Sequence, residues 1–226
     1  MTTSNIATSR VRLRAKDGHE LEGYLCEPEG APVGGLVLVQ EIFGVNAHIR
    51  EQCEGYARDG FRVIAPAMFD RVERGVELGY DSAGMNRGIE LIKPLSAEQY
   101  VLDAGAAVEF MGSLPTGIIG YCFGGSVAWR AADALPVRAA VSYYGSNAVN
   151  LLDLRPKCPV MAHFGARDAM IPLEKVQALR ERHPEVEVHV YAADHGFNCD
   201  HRRQYDAESA ALARSRSLAF LKQHVR

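Results

Sequence analysis

The chain has 226 residues, of which 47% are hydrophobic and 23% are charged, and its formal net charge is −3. This length and mixture predict one globular domain spanning residues 1–226 and argue against disorder, while the slightly acidic balance disfavours a nucleic-acid-binding protein. No stretch approaches the roughly 20 apolar residues of a membrane span and the N-terminus lacks a signal-like apolar core, so we expect a cytoplasmic protein without nucleic-acid or membrane partners.

The cysteines are spread along the chain, at positions 26, 53, 122, 158 and 199. Their number is odd and no two form a Cys-x-x-Cys pair, which disfavours a disulfide framework or a structural zinc site. Each cysteine is therefore a core residue or a candidate nucleophile.

The N-terminal part has the pattern of a β-hairpin. Residues 10–15 alternate between arginine and an apolar residue, which is the period of a strand. Asp17 and Gly18 form a turn signal, so residues 21–26 can return as the partner strand.

Beyond the hairpin, short apolar runs alternate with amphipathic stretches, which predicts a mostly parallel sheet covered by helices. The predicted strands are 36–39, 61–65, 117–120, 139–143, 160–164 and 186–191, and the predicted helices are about 47–58, 97–112, 125–134, 173–182 and 205–224. Residues 66–96 are too long for an ordinary connection, so we expect a partly helical excursion over the edge of the sheet.

The most specific local motif is Gly120-Tyr121-Cys122-Phe123-Gly124-Gly125, between an apolar run and a helical stretch. It has the pattern of the G-x-nucleophile-x-G elbow, with cysteine where serine is more usual. Its glycines allow a sharp strand-to-helix turn, and the positive end of the following helix favours a thiolate. The motif indicates that Cys122 is a nucleophile and that the Phe123 amide faces a developing oxyanion.

Two other interpretations of this turn stay open. A glycine-rich turn after a strand can bind phosphate, although this one lacks the Gly-Lys-Ser/Thr of a P-loop and the spacing of a dinucleotide fingerprint. Cys122 could instead be a buried structural thiol, because free cysteine is among the most buried residue types.

Candidate partners of the cysteine follow it in the required chain order. Asp168 comes just after the predicted strand 160–164, and His195 comes just after 186–191. The carboxyl ends of parallel strands meet at one edge of the sheet, so we expect these side chains to lie near Cys122. A carboxylate that orients a histidine, which in turn exchanges protons with a nucleophile, is the logic of a catalytic triad.

Glu41 ends the predicted strand 36–39 and faces the same edge of the sheet. A carboxylate at such a position can also be a surface or capping group. The loop that it begins is where the second oxyanion donor of such folds lies, and the amide of Ile42 is the candidate.

These segments together resemble the dienelactone hydrolase (carboxymethylenebutenolidase) family, from about residue 10 to the C-terminus. The segments that carry the resemblance are 40–46 (QEIFGVN), 120–125 (GYCFGG), Tyr143-Tyr144-Gly145, Asp168 and His195-Gly196-Phe197. The resemblance implies an α/β-hydrolase fold, with a mostly parallel central sheet, helices on both faces and an N-terminal β-hairpin. It also implies that Cys122 is the nucleophile, that Asp168 and His195 are its acid and base, and that Glu41 contacts the resting thiol and helps to generate the thiolate.

The reaction implied by the resemblance is hydrolysis of an enol lactone or a similar activated ester. Cys122 attacks the carbonyl, the amides of Phe123 and Ile42 hold the oxyanion, and an enolate leaves. Water assisted by His195 then cleaves the thioester. The expected partner is a small lactone or ester, no cofactor is needed, and the protein is expected to be a monomer or a small homo-oligomer.

Substrate-binding arginines are less well matched. Members of the family have an arginine four residues after the catalytic histidine, where this chain has Cys199. Arg202 and Arg203 lie slightly further on, and Arg87 on the excursion is the candidate for a second family arginine. Each of the three could instead be a solvated surface charge.

A second cluster of polar residues could suggest a metal site. It contains His195, Cys199, Asp200 and His201. Consecutive side chains seldom converge on one ion in regular structure, and the spacings typical of zinc sites are absent. The sequence therefore predicts no metal site.

Three alternatives to a dienelactone hydrolase stay open. The same fold could serve a general carboxylesterase or thioesterase acting on small acyl groups, because the lining of the pocket decides between substrates. A different class is a redox or electrophile sensor whose active thiol is Cys122, although no resolving cysteine lies nearby in the sequence. The last is a catalytically silent binding protein, which would usually lack a member of the triad.

Overall fold

Strands and helices alternate along the chain in the computed structural model, which describes residues 6–226. The strands are β1 (Ala7–Arg14), β2 (Glu20–Glu27), β3 (Gly34–Val39), β4 (Phe61–Pro66), β5 (Thr116–Tyr121), β6 (Ala140–Tyr143), β7 (Val160–Gly165) and β8 (Glu187–Tyr191). The helices are α1 (Ala47–Arg58), α2 (Ser82–Ile92), α3 (Ala97–Phe110), α4 (Phe123–Ala134), α5 (Leu173–Arg182) and α6 (Ala207–His224), with a short 3-10 helix at Ala148–Asn150.

The strands form one eight-stranded sheet in the order β1-β2-β4-β3-β5-β6-β7-β8. The six strands from β4 to β8 in that order run parallel, whereas β1, β2 and β4 pair antiparallel. All residues of β3, β5 and β7 are buried, as expected for parallel strands covered on both faces. The predicted α/β-hydrolase fold is confirmed.

The predicted N-terminal hairpin is also confirmed, with longer strands than the alternation indicated. Leu13 pairs with Leu21 across the two strands, and both side chains are buried. Gly18 has a φ of 88° in the turn, a conformation that glycine adopts without steric cost.

Helices cover both faces of the sheet. The Cβ positions of consecutive strand residues point to opposite faces. A Cβ at Gly34 would contact Val225, which follows α6, whereas a Cβ at Gly35 would contact Met111, which follows α3. Helices α6 and α3 therefore end on opposite faces, and the apolar core lies between them and the sheet.

The excursion of residues 66–96 contains one helix, α2. The Asp81 carboxylate caps this helix by accepting a hydrogen bond from the Gly84 amide at 2.7 Å. Gly88 of α2 packs against the carbonyl of Ile42, since a Cβ there would lie 2.0 Å from that oxygen. The excursion thus lies over the loop that follows β3.

Two helices begin at other residues than the periodicity predicted. Helix α4 begins at Phe123 rather than 125, because Cys122 itself forms the turn before it. Helix α6 begins at Ala207 rather than 205, because the Asp206 carboxylate accepts from the Ser209 amide and caps it. No helix in residues 6–226 is long and apolar enough to span a membrane.

Candidate active site

Cys122 lies at the turn between β5 and α4 in a backbone conformation that non-glycine residues rarely adopt. Its φ is 53° and its ψ is −113°, and such strain is held in place only by tight surroundings. The Cys122 amide donates to the Tyr143 carbonyl at 2.9 Å. Gly124 lets the turn pack closely, since a Cβ there would lie 2.3 Å from the Val39 carbonyl oxygen. Both contacts fix where the sulfur points.

His195 lies between the sulfur and a carboxylate. Its Nε2 is 3.1 Å from Cys122 Sγ and its Nδ1 is 2.7 Å from Asp168 Oδ2. The other oxygen of Asp168 accepts a hydrogen bond from the Met170 amide at 2.8 Å, which fixes the carboxylate. The structure therefore brings together all three residues predicted from the ends of β5, β7 and β8.

The charge state of His195 follows from these contacts. Burial disfavours the imidazolium, but the Cys122 sulfur and the Asp168 carboxylate outweigh it and raise the pKa of His195 to about 10. The ring of Tyr144 also packs against the imidazole, with 5.0 Å between ring centroids. His195 is thus positioned to hold a proton between the Cys122 sulfur and the Asp168 carboxylate.

Glu41 pairs with Arg202 rather than with the sulfur. Its Oε1 accepts from Nη1 of Arg202 at 3.2 Å, and its Oε2 is buried without a hydrogen-bond partner in the described part of the chain. The Arg202 guanidinium also lies 5.7 Å from the ring of Phe43 and 5.6 Å from the ring of Tyr80. Glu41 is fully buried, so Arg202 compensates a carboxylate that water cannot reach.

Two backbone amides at residues that line the same cavity as Cys122 have no hydrogen-bond partner in the described part of the chain. The amides of Phe123, at the start of α4, and Ile42, after β3, donate no hydrogen bond within residues 6–226. The loop at Ile42 is held by Gln40, which donates to the Glu41 carbonyl at 3.2 Å and accepts from the Met68 amide at 3.1 Å. Both N–H groups are therefore free to donate a hydrogen bond, which is what an oxyanion hole requires.

A cavity of about 230 Å³ opens beside Cys122 and His195. Its walls are mainly apolar and come from the loop after β3, the excursion, α3, α4 and the loops after β6, β7 and β8. The apolar side chains are Ile42, Phe43, Met85, Ile89, Ile92, Tyr100, Phe123, Val127 and Met170. The cavity suits a small, largely apolar substrate.

The structure separates the three candidate arginines. Arg202 lines the cavity but is held by Glu41. Arg87 lies on the exposed side of α2, pairs with Glu73 and with Glu90 (3.0 Å), and does not line the cavity. Arg203 is exposed and does not line it either. The expectation that Arg87 or Arg203 lies at this pocket is therefore not met.

Arg130 lines the cavity and was not expected there. It lies on α4, and only the rotation of that helix against the sheet decides which side chains face the pocket. The sequence carries no signal for that rotation. Asp194, the residue directly before His195, is half exposed and lies 3.8 Å from Arg167.

Comparisons with known proteins point to one family. A family model described as the dienelactone hydrolase family matches residues 21–225. The carboxymethylenebutenolidase of Pseudomonas putida is 32% identical over 226 residues, covering 95% of this chain and 96% of that protein. Carboxymethylenebutenolidase 1 of Cupriavidus pinatubonensis is 27% identical, covering 93% of this chain and 95% of that protein. A Klebsiella pneumoniae structure assigned as a dienelactone hydrolase is 28% identical with a TM-score of 0.79, covering 98% of this chain and 100% of that one.

Proposed function

Because this chain belongs to the dienelactone hydrolase family of ester-bond hydrolases, we propose that it opens an enol lactone or a similarly activated ester through a thioester on Cys122. The observation that carries the proposal is the position of His195, whose two ring nitrogens contact Cys122 Sγ and Asp168 Oδ2. A base that contacts the nucleophile and is itself oriented by a carboxylate is what nucleophilic catalysis requires.

In the first step, the Cys122 sulfur attacks the carbonyl carbon and a carbon–sulfur bond forms. The carbonyl oxygen becomes an oxyanion, to which the amides of Phe123 and Ile42 donate. The oxyanion then collapses, the carbon–oxygen bond of the ester breaks, and the enolate leaves with the proton that His195 took from the Cys122 sulfur, so that His195 becomes neutral again. An enolate is a stable leaving group, so a sulfur nucleophile is sufficient for this class of substrate.

In the second step, water hydrolyses the thioester. His195 accepts a proton from the water as its oxygen attacks the thioester carbon, and Asp168 stabilises the imidazolium that results. The carbon–sulfur bond breaks, the carboxylic acid is released and the sulfur is restored. No other residue of the site is needed to balance the protons.

Glu41 assists the reaction by coupling the loss of the Cys122 thiol proton to the binding of substrate. The Oε2 oxygen of Glu41 has no partner, and its Oε1 is held by a guanidinium that also lines the cavity. A negatively charged group on a substrate would compete with Glu41 for Arg202. Once Arg202 is engaged by such a substrate, the released Glu41 carboxylate can turn toward the Cys122 thiol and accept its hydrogen bond, which positions the thiol while its proton passes to His195.

A second candidate function is a carboxylesterase or thioesterase for small apolar acyl groups. The apolar lining of the cavity favours it, because Arg130 and Arg202 are the only arginine or lysine side chains among the lining residues that the structure describes. The chemistry at Cys122 would be the same, and only the substrate would differ.

Hydrolysis of a dienelactone and of a p-nitrophenyl ester by the purified protein tests the proposal. We expect Cys122→Ala to lower kcat on both substrates by roughly a thousandfold or more. Cys158→Ala is the matched control, because Cys158 is a free, partly exposed cysteine outside the cavity, and it should leave kcat unchanged.

The outcomes separate the candidates. Dienelactone turnover that vanishes in Cys122→Ala supports the leading proposal. Ester cleavage alone supports the esterase candidate. Turnover that survives in Cys122→Ala contradicts both, and no turnover of either substrate favours the sensor or binding interpretations.

A further inference from the structure

Outside the catalytic site, four metal-ligating side chains meet where α1 faces the loop that follows His195. His48 and Glu51 come from α1, and Asp200 and His201 come from the loop. One ligand atom from each residue lies within 4.8 Å of the others. The sequence-based prediction of no metal site considered His201 with its neighbours in the chain and not with α1.

The loop conformation explains why that prediction missed the cluster. Residues 195–204 form successive turns rather than a strand or helix, and consecutive side chains can converge in such a segment. His48 and Glu51 are three positions apart on a helix, so they lie on the same face of α1. The fold therefore supplies two pairs of ligands from two segments about 150 residues apart.

The spacing of the four groups matches that of ligands around one small cation. His48 Nδ1 lies 3.3 Å from Asp200 Oδ1, and His201 Nε2 lies 2.9 Å from Glu51 Oε2 and 3.9 Å from Asp200 Oδ1. Nitrogen and oxygen ligands at about 2.0–2.2 Å from a tetrahedral zinc ion are separated by roughly 3.3–3.6 Å. A bound ion would draw the more distant ligand atoms, which lie up to 4.8 Å apart, to that separation.

A second observation distinguishes this cluster from an ordinary group of surface acids. The His48 side chain is completely buried, yet its Nδ1 is directed at the exposed carboxylate of Asp200. The rings of His48 and His201 face each other with 5.6 Å between centroids. Glu51 and Asp200 line an open surface depression of about 240 Å³, which gives an ion a path from solvent.

We propose that His48, Glu51, Asp200 and His201 bind one divalent transition-metal ion, with zinc the best match, and that this ion fastens the loop to α1. Two imidazoles and two carboxylates are borderline ligands that suit zinc and its neighbours better than calcium or magnesium. Four protein ligands fill a tetrahedral shell, which is typical of a structural rather than a catalytic site.

The position of the site gives the ion a role in holding the catalytic loop. This loop begins with His195, which contacts Cys122 Sγ, and contains Arg202, which pairs with Glu41. His201 is the residue directly before Arg202. A bound ion therefore stabilises the segment that carries both residues without contacting the substrate.

Zinc titration of chelator-treated protein by calorimetry tests this proposal. The Cys122→Ala background removes the sulfur–imidazole pair, which could itself bind zinc. We expect one zinc ion per chain and a zinc-dependent rise in the thermal unfolding midpoint, because an ion that binds only the folded state stabilises it.

Exposed ligands provide the test variants, since replacing the buried His48 could prevent folding. We expect His201→Ala and Glu51→Gln each to weaken zinc binding by at least about tenfold and to reduce the rise in midpoint. His224→Ala is the matched control, because His224 is a partly exposed histidine at the end of α6 beside Phe220, and it should bind zinc as the parent does.

Cobalt serves as a spectroscopic probe of the ligands. A tetrahedral cobalt spectrum without a thiolate-to-cobalt charge-transfer band supports the proposed ligand set. Absence of zinc binding, binding that both variants retain, or a thiolate band that assigns the ion to cysteine would each overturn the proposal. None of these readouts depends on ester hydrolysis, so their failure is distinct from failure of the proposed function.

Discussion

The ion pair between Glu41 and Arg202 is buried next to the cavity that contains Cys122. Glu41 is fully buried and the Arg202 side chain is only 8% exposed. A buried ion pair adds little net stability, but removing one partner leaves an uncompensated charge in the interior. Arg202 is therefore more important as the partner of Glu41 than as a surface cation.

Replacing Arg202 should reveal this dependence. We expect Arg202→Met to lower the free energy of unfolding by about 3 kcal/mol, because methionine preserves apolar contact while Glu41 loses its counter-charge. Urea denaturation measures the change. The double variant Glu41→Gln/Arg202→Met is the control and should recover most of the loss. Equal destabilisation of the single and double variants would show that packing, and not charge, is what Arg202 supplies.

The raised pKa of His195 predicts a pH dependence of stability. A group whose pKa is raised by folding contributes stability below its unfolded pKa and loses it as the pH rises through its folded pKa. For His195 the window runs from about 6.5 to about 10. We expect the difference in thermal midpoint between the wild type and His195→Gln to shrink as the pH is raised across this window.

His224→Gln serves as the control for this measurement, because His224 lies at the end of α6 and away from the cavity. The thermal unfolding midpoint of His224→Gln should differ from that of the wild type by the same amount at both ends of this pH window. A difference for His195→Gln that stays constant with pH would contradict a His195 pKa raised by its contacts with the Cys122 sulfur and Asp168.

The sequence could predict those site residues that lie at the ends of strands. Cys122, Asp168 and His195 each follow an apolar run, and parallel strands end at one edge of the sheet. Arg87 was not predictable in this way, because it lies on the excursion, where no periodicity ties a side chain to the sheet. Its two glutamate partners, Glu73 and Glu90, hold it on the outer side of α2.

At the scale of elements, the contact between α2 and the loop after β3 positions one of the proposed oxyanion donors. The absence of a side chain at Gly88 allows the helix to touch the Ile42 carbonyl. The Gln40 side chain also holds this loop, through its hydrogen bonds with the Glu41 carbonyl and the Met68 amide. The Ile42 amide is thus positioned by two elements, of which only β3 was predicted in detail.

A methyl group at Gly88 should disturb this contact. We expect Gly88→Ala to lower kcat/KM by up to about a hundredfold, because the new Cβ would push the Ile42 loop from its position and small displacements of catalytic groups are costly. Gly79→Ala is the control, since a Cβ at Gly79 contacts nothing within 4 Å. Steady-state ester hydrolysis distinguishes the two, and equal activity would show that the Ile42 loop tolerates the shift.

Hydrophobic periodicity predicted most of the strands and helices, but it did not predict the exact residues at which they begin and end. Helices α1 and α5 have the predicted bounds; α1 packs on β2 and β4, and α5 packs on the 3-10 helix Ala148–Asn150. Helix α4 begins two residues early because the strained turn is made by Cys122 alone. The 3-10 helix Ala148–Asn150 is too short to produce a periodic signal.

At the scale of the whole molecule, the excursion and the sheet edge together form the cavity and determine which substrates fit. Met85 and Ile89 of α2 and Met170 after β7 are each at least 40% exposed and line its opening. An apolar rim of this kind favours substrates that bury hydrocarbon. The sequence predicted that the excursion covers the sheet edge, but not which of its side chains reach the pocket.

Acyl-chain selectivity tests the role of this rim. We expect kcat/KM to be roughly tenfold higher for p-nitrophenyl butanoate than for the acetate, since each buried methylene contributes about 0.8 kcal/mol. Ile89→Asn should reduce this preference. Leu212→Asn is the matched control, because Leu212 on α6 has the same 45% exposure as Ile89 and does not line the cavity. A preference that Ile89→Asn leaves intact would assign selectivity to another wall.

Trapping the covalent intermediate tests the role of Cys122 most directly. Wild-type protein mixed rapidly with an activated ester and quenched in acid should gain the mass of one acyl group, on the peptide that contains Cys122. The Cys158→Ala protein should gain the same mass, and Cys122→Ala should gain none. An acyl group on any other residue, or full turnover by Cys122→Ala, would contradict a thioester mechanism at this site.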